Sequence, residues 1–173
     1  VGYGPDPHRC IEVLRGLNQV GIAGNHDLAA IGKLGTADFN ASAADAVNWT
    51  STQLTAEDID YLGKLPLTAV KDDLTLVHGS PRDPVWEYLL STTLANENFA
   101  YFQTQFCLVG HSHVPLVYEL DRNGECLLHH LSDDTPFTFS ENRYIINPGG
   151  VGQPRDGDPR ASYAIYDSDT RSI

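Results

Sequence analysis

Three short apolar runs in this chain end in the same kind of residue, and that repetition limits the folds open to it. Val20-Gly21-Ile22-Ala23 stops at Gly24-Asn25-His26-Asp27. Leu74-Thr75-Leu76-Val77 stops at His78-Gly79-Ser80-Pro81. Cys107-Leu108-Val109 stops at Gly110-His111-Ser112-His113. Runs this short and this apolar, bounded by turn residues, read as buried strands. Each then delivers an imidazole or amide at its C-terminal end. In an open α/β sheet that edge is where ligands and catalytic groups collect. The expected class is therefore α/β, or α+β in layers.

The rest of the chain fits strands alternating with helices. Asp6 and Pro7 read as the start of a helix with Ile11, Leu14 and Leu17 on one face. Residues 28–53 are rich in alanine and predict two helices broken near Gly35-Thr36. Thr55 with Asp58 reads as a capping start, with Ile59, Leu62 and Leu65 along one side and Pro66 as the stop. Residues 67–78 predict a strand pair turning at Asp72-Asp73. Residues 84–90 and 96–105 read as short helices. Further strands are expected at 116–120, 126–131, 144–146 and 162–166, the first two joined by an Asn123-Gly124 turn.

Charge narrows the partners. The chain has 173 residues and a formal net charge of −12, which argues against adhesion to nucleic acid or to an anionic membrane face. An anionic protein that binds phosphate groups needs local cations, and bound metal supplies them. No apolar run approaches the roughly 20 residues of a membrane span, and none reads as a signal peptide. Cys10, Cys107 and Cys126 are odd in number and share no Cys-x-x-Cys spacing. They favour free thiols in a reducing cytosol over a disulfide, so a cytoplasmic location is expected.

The three loop ends also carry a chemistry. His111 and His113 are two apart, so on an extended segment their rings share a face. Neutral imidazole is a common ligand for transition metals, and an amide oxygen adds a harder partner. A set of His and oxygen without thiolate suits Mn, Fe or Zn in a catalytic role, with Mn the first choice. Asp27 beside His26 suggests a carboxylate that holds the ring and favours its protonated form, able to donate a proton to a leaving oxygen. Taken singly, each residue has a plainer reading: a hydrogen-bonded loop histidine, or a turn-forming Asn25. Their matching placement favours metal. His129-His130 lie in an alternating strand and His8 at a helix start, and neither is assigned a role. Arg155 and Arg160 sit in a polar loop, where they either reach a phosphate or pair with Asp156 and Asp158.

In order and spacing, Gly24-Asn25-His26-Asp27, His78-Gly79 and Gly110-His111-Ser112-His113 resemble the motifs of the calcineurin-like metallophosphoesterases. Val1-Gly2-Tyr3-Gly4-Pro5-Asp6-Pro7 and Asn147-Pro148-Gly149-Gly150-Val151-Gly152-Gln153-Pro154-Arg155 are similar to its small bacterial phosphodiesterase and phosphatase branch. The resemblance implies a two-sheet sandwich flanked by helices, as one domain over residues 1–173. It implies hydrolysis of a phosphoester at a pair of divalent metal ions that share a hydroxide. Asn25, His78 and His111 would bind one ion and His113 the other, with His26 by the scissile phosphate and Asp27 supporting it. The family's Asp-x-His and Gly-Asp motifs belong before Val1. The chain is thus expected to be N-terminally truncated by about 30 residues or more, one strand–helix–strand unit, and to be inactive as it stands.

The substrate stays open among a small phosphate ester, a nucleotide and a phosphoprotein. Two other classes are weighed against hydrolysis. A non-catalytic scaffold of the same fold is disfavoured by the intact His26-Asp27 pair. A histidine-triad nucleotide hydrolase would need a third His at position 115, which is proline.

Overall fold

The computed structural model describes residues 1–131 and 135–173, and these form two compact units, Val1–Ala69 and Val70–Ile173. The fold is mixed α/β, as the sequence implies.

The first unit is helical, with α1 (Pro7–Arg15), α2 (Asn25–Ala30), α3 (Ala41–Gln53) and α4 (Ala56–Lys64). Side chains set three of the boundaries. Pro7 takes the first position of α1, Asn40 Oδ1 accepts from the Ala43 amide at 2.9 Å to start α3, and Thr55 Oγ1 accepts from Asp58 to start α4. The buried set is small: Ile11, Ala23, Ala29, Ala30, Ala43, Val47 and Leu62. Alanines of this kind let helices approach closely but bury little area each. The expected face of α1 is buried at Ile11 alone, with Leu14 at 46% and Leu17 at 58% exposure.

Strand β1 (Thr68–Lys71) carries the chain from the first unit into the second and turns through Asp72, at φ 52°, into β2 (Leu74–Val77). Then come α5 (Thr92–Asn98), a 3-10 turn at Phe99–Tyr101, and β3 (Phe106–Leu108), β4 (Leu116–Leu120), β5 (Cys126–His129) and β6 (Arg143–Asn147). They form a six-stranded sheet in the order β1-β2-β3-β6-β4-β5. β2, β3 and β6 run parallel, while β4 runs antiparallel to both β6 and β5. This is one sheet among the described residues, where the resemblance implies two.

Side chains alternate across this sheet and build a core on each face. Cys107, Leu116, Tyr118 and Ile145 face one way, and join Val77, Ala95, Phe99 and Phe102. Phe106, Val117, Tyr144 and Ile146 face the other way, with Phe139. The parallel register aligns Leu76, Leu108 and Ile146. The segments that follow, beginning at His78, Val109 and Pro148, therefore leave the sheet at one carboxyl edge.

Four expected elements take other forms. The Val20 to Ala23 run is not a strand: Val20 is exposed, and Ala23 N donates to Pro66 O at 2.9 Å without a ladder. Residues 84–90 are not a helix, because Asp83 Oδ1 accepts from the Val85 and Trp86 amides, both at 3.1 Å, and closes a single turn. Residues 162–166 form no strand, with Tyr163 75% and Ile165 72% exposed. The helix expected at 96–105 instead starts at Thr92, where Ser91 Oγ accepts from Leu94 N at 3.2 Å.

Candidate metal centre

Within the second unit, the loops after β2, β3 and β6 brace one another. Gly110 N donates to His78 O at 2.8 Å, tying the second loop to the first. The buried Asn147 carboxamide donates to Gly110 O at 2.6 Å and to Ser112 Oγ at 2.9 Å. Between these anchors His111 (φ 59°) and His113 (φ 60°) both adopt the left-handed conformation. Residues with a Cβ rarely take it, and where it persists the surroundings over-determine it.

The loop after β2 folds back through Gly79, whose amide donates to Pro84 O at 2.8 Å. A Cβ at Gly79 would lie 2.7 Å from Asp83 O, so the close return requires glycine. Glu87 holds the loop from inside, accepting from Ser80 Oγ at 2.6 Å and Asn98 Nδ2 at 2.8 Å and pairing with Arg82. Burial works against its charge, but these donors outweigh it and hold the carboxyl below its ordinary range.

This scaffold presents His78, His111 and His113. His78 Nε2 lies 3.1 Å from His111 Nδ1. His111 Nε2 lies 3.1 Å from the Trp86 carbonyl, which can only accept. In a neutral ring the proton is therefore assigned to Nε2, and the Nδ1 lone pair faces His78. The Tyr88 ring stacks on His111 with centroids 3.9 Å apart and planes at 22°. Burial is the main cause that lowers His111 to about 4, with Arg155 and His113 adding to it, so the ring is neutral at pH 7. His113 Nδ1 donates to the Gln153 carbonyl at 2.6 Å, which leaves Nε2 as its lone-pair nitrogen. Its pKa is also lowered, first by burial and then by Arg155.

These features suit metal ligands. A carbonyl partner on the far nitrogen fixes the tautomer and ring plane of a ligating histidine. Two nitrogens bound to one ion at about 2.1 Å sit roughly 3.0–3.4 Å apart, which matches the His78–His111 separation once the proton between them moves to the far side of His78. Among the described residues no three His, Cys, Asp or Glu side chains converge into a group able to hold a metal. The imidazole pair thus needs an added oxygen donor, such as a carboxamide.

In the first unit, Asn25, His26 and Asp27 form the first turn of α2 rather than an open turn. Asn25 is 4% exposed. The His26 ring packs between Tyr3 and Phe39, at 4.4 and 5.0 Å between centroids. Asp27 Oδ2 accepts from the Gly24 amide at 2.8 Å and Oδ1 from the Val1 amino group at 2.6 Å. Its carboxylate therefore caps the helix that carries His26.

The remaining candidates fall outside this set. His129 Nε2 meets Glu119 Oε2 at 2.7 Å, and His8, assigned no role from sequence, bonds the buried Asp58 at 2.8 Å. Arg160 pairs with Asp158, as one of the two readings had it, and Arg155 bonds the Gln153 side chain. The sequence reading missed Trp86, Tyr88, Asn147 and Gln153 as supports. Asn147 carries a signal, a carboxamide ending a strand before Pro-Gly. Trp86 and Gln153 act through backbone carbonyls, which leave no residue-type signature.

Known proteins carry the same fold. A crystal structure of a metallophosphoesterase from Sphaerobacter thermophilus matches with a TM-score of 0.87 at 48% identity, covering 99% of this chain and 71% of that one. A hypothetical protein, PH1004, from Pyrococcus horikoshii OT3 matches in fold with a TM-score of 0.77 at 20% identity, covering 99% and 68%. The uncharacterized protein MJ0912 of Methanocaldococcus jannaschii is 38% identical over 172 residues, which are 96% of this chain and 68% of that protein. The model of the calcineurin-like phosphoesterase superfamily domain matches residues 6–171, and the chain belongs to that superfamily.

Proposed function

We propose that this protein hydrolyses phosphoesters at a site for two divalent cations, with Mn first among Mn, Fe and Zn, and that residues 1–173 belong to one catalytic domain. His78 and His111 are nitrogen donors to one cation and Asn25 is its oxygen donor. His113 serves the second through Nε2. The observation that carries the reading is the His78–His111 pair, 3.1 Å apart, with His111 held neutral and fixed in tautomer by the Trp86 carbonyl. When bound, the cations lower the pKa of water and offset the charge of the phosphoryl oxygens.

The chain's own residues do the rest. The carbonyls of Trp86 and Gln153 hold His111 and His113 in ligand orientation, and Tyr88 fixes the plane of the His111 ring. His26 donates a proton to the leaving oxygen, and Asp27 supports it through the helix end that it caps. The substrate is a phosphate ester carried by a small molecule, a nucleotide or a phosphoprotein.

The test measures Mn²⁺ affinity by calorimetry and turnover of generic phosphomonoester and phosphodiester reporters. His78→Ala and His111→Ala should each weaken Mn²⁺ binding by at least tenfold. His26→Ala should keep metal affinity and lose about 10²–10⁴-fold in kcat. Unchanged Mn²⁺ affinity in His111→Ala sinks the ligand assignment. Residues 1–173 assayed without the family's Asp-x-His and Gly-Asp motifs should turn over little or nothing, and Mn²⁺ binding without turnover of any phosphoester when those motifs are present returns the scaffold reading.

A further inference from the structure

Tyr88 is held from both sides along the chain. Glu87 before it accepts from Ser80 Oγ at 2.6 Å and Asn98 Nδ2 at 2.8 Å and pairs with Arg82. Leu89 after it is 4% exposed, and its carbonyl accepts from the Tyr118 hydroxyl at 3.3 Å. Between these anchors the Tyr88 ring stacks on His111, with centroids 3.9 Å apart and planes at 22°, yet the residue is 40% exposed. His111 covers one face, and among the described residues no second ring stacks against Tyr88. An aromatic side chain that served only to shield His111 would gain by burying its other face as well. Tyr88 presents that face outward, in a fixed orientation, beside a candidate ligand.

A fixed aromatic face beside a phosphate site has the form of a platform on which a base stacks. Every base has a π-face, so such a platform tolerates any of them. A base laid on Tyr88 at van der Waals contact, about 3.5–4 Å farther out, lies roughly 7–8 Å from the His111 ring. That gap leaves room for the sugar that separates base from phosphate in a nucleotide. The net charge of −12 disfavours a nucleic-acid strand, whose many phosphates the protein's field repels, and so points to a single nucleotide.

We propose that the exposed face of Tyr88 is a base subsite of this centre and that the phosphoester it takes is a mononucleotide. The inference rests on the phosphoesterase reading above and adds to it a binding residue and a substrate class.

The experiment titrates AMP and ribose 5-phosphate into the whole chain with saturating Mn²⁺, by calorimetry, for the wild type, Tyr88→Leu and Tyr88→Phe. The two ligands carry the same phosphate on the same sugar carbon and differ by the base. The wild type should bind AMP about fivefold or more tightly than ribose 5-phosphate, the lower end of what one stacked base contributes. Tyr88→Leu should bring the two affinities to within about twofold, and Tyr88→Phe should restore the ratio because it keeps the π-face. Circular dichroism checks the fold of both variants. Equal affinity of the wild type for the two ligands overturns the proposal, whatever the variants do. So does a ratio that survives in Tyr88→Leu, or a loss of both ligands together in that variant, because Tyr88 then acts only through His111. Binding of neither ligand by the wild type overturns the phosphoesterase reading, and the base subsite with it.

Discussion

Asp58 is fully buried, yet its pKa lies below the ordinary value of 3.8. Burial alone would raise it. Hydrogen bonds from the Thr55 amide at 2.9 Å, from His8 at 2.8 Å and from Thr55 Oγ1 more than offset burial. The fold therefore favours the ionised carboxylate. Its stabilising contribution is complete above the unfolded value, near 3.8, and is lost as pH falls through the lower folded value. Asn keeps an oxygen that can accept from the Thr55 amide but loses the charge that the Thr55 and His8 donors favour. Asp58→Asn should thus lower the urea midpoint at pH 7 and flatten the fall in stability below about pH 4. Urea titrations from pH 3 to 7 check this, and an unchanged acid limb in the variant would show that other carboxylates set it. Thr55 and Asp58 announce the cap in the sequence. His8 is 50 positions away, and nothing in the pattern pairs it with them.

The loop from Gly110 to His113 depends on an element that contributes no proposed ligand. Asn147, the last residue of β6, satisfies Gly110 O and positions Ser112. Asn147→Ala removes one of that carbonyl's two donors, the Ser112 amide being the other, and takes away a partner of Ser112 Oγ, at a cost of about 0.5–1.5 kcal/mol per bond. It also releases two histidines from a left-handed geometry, and loss of an outer support of this kind typically weakens metal binding about 10–100-fold. Equilibrium unfolding and Mn²⁺ calorimetry should both register the change. A stability loss with full metal affinity would restrict Asn147 to packing. Gly79→Ala tests the neighbouring loop: a Cβ 2.7 Å from Asp83 O should cost roughly 1–3 kcal/mol. The sequence shows these loops through their strands, because β2, β3 and β6 are short apolar runs ending in polar residues. It shows helix starts through Pro7 and Thr55. It misleads where local pattern and tertiary partner diverge. Val20 to Ala23 is apolar but has one backbone bond to Pro66 in place of a ladder, and Asp83 diverts residues 84–90 from helix into a turn.

At the scale of the whole chain, the two units differ in what holds them. Both hydrophobic clusters, with Phe99, Phe102, Phe106, Tyr118, Phe139 and Tyr144, belong to the second unit. The first relies on four alanines and on Ile11, Val47 and Leu62. At about 25 cal/mol per Å² of apolar area removed from water, large aromatics stabilise a core far more than alanines do. Stability should therefore be uneven, and a single two-state transition should fail. The chain supplies its own reporters, since of its two tryptophans Trp49 lies in the first unit and Trp86 in the second. In the Trp86→Phe variant, fluorescence follows the first unit, and in Trp49→Phe it follows the second. The first-unit midpoint in urea should lie below the second, with hydrogen exchange in α1 and α2 faster than in β3 and β6. Coincident midpoints in both variants would mean that the alanine-rich helices share the cooperativity of the sheet, and the unequal-core argument would then be wrong.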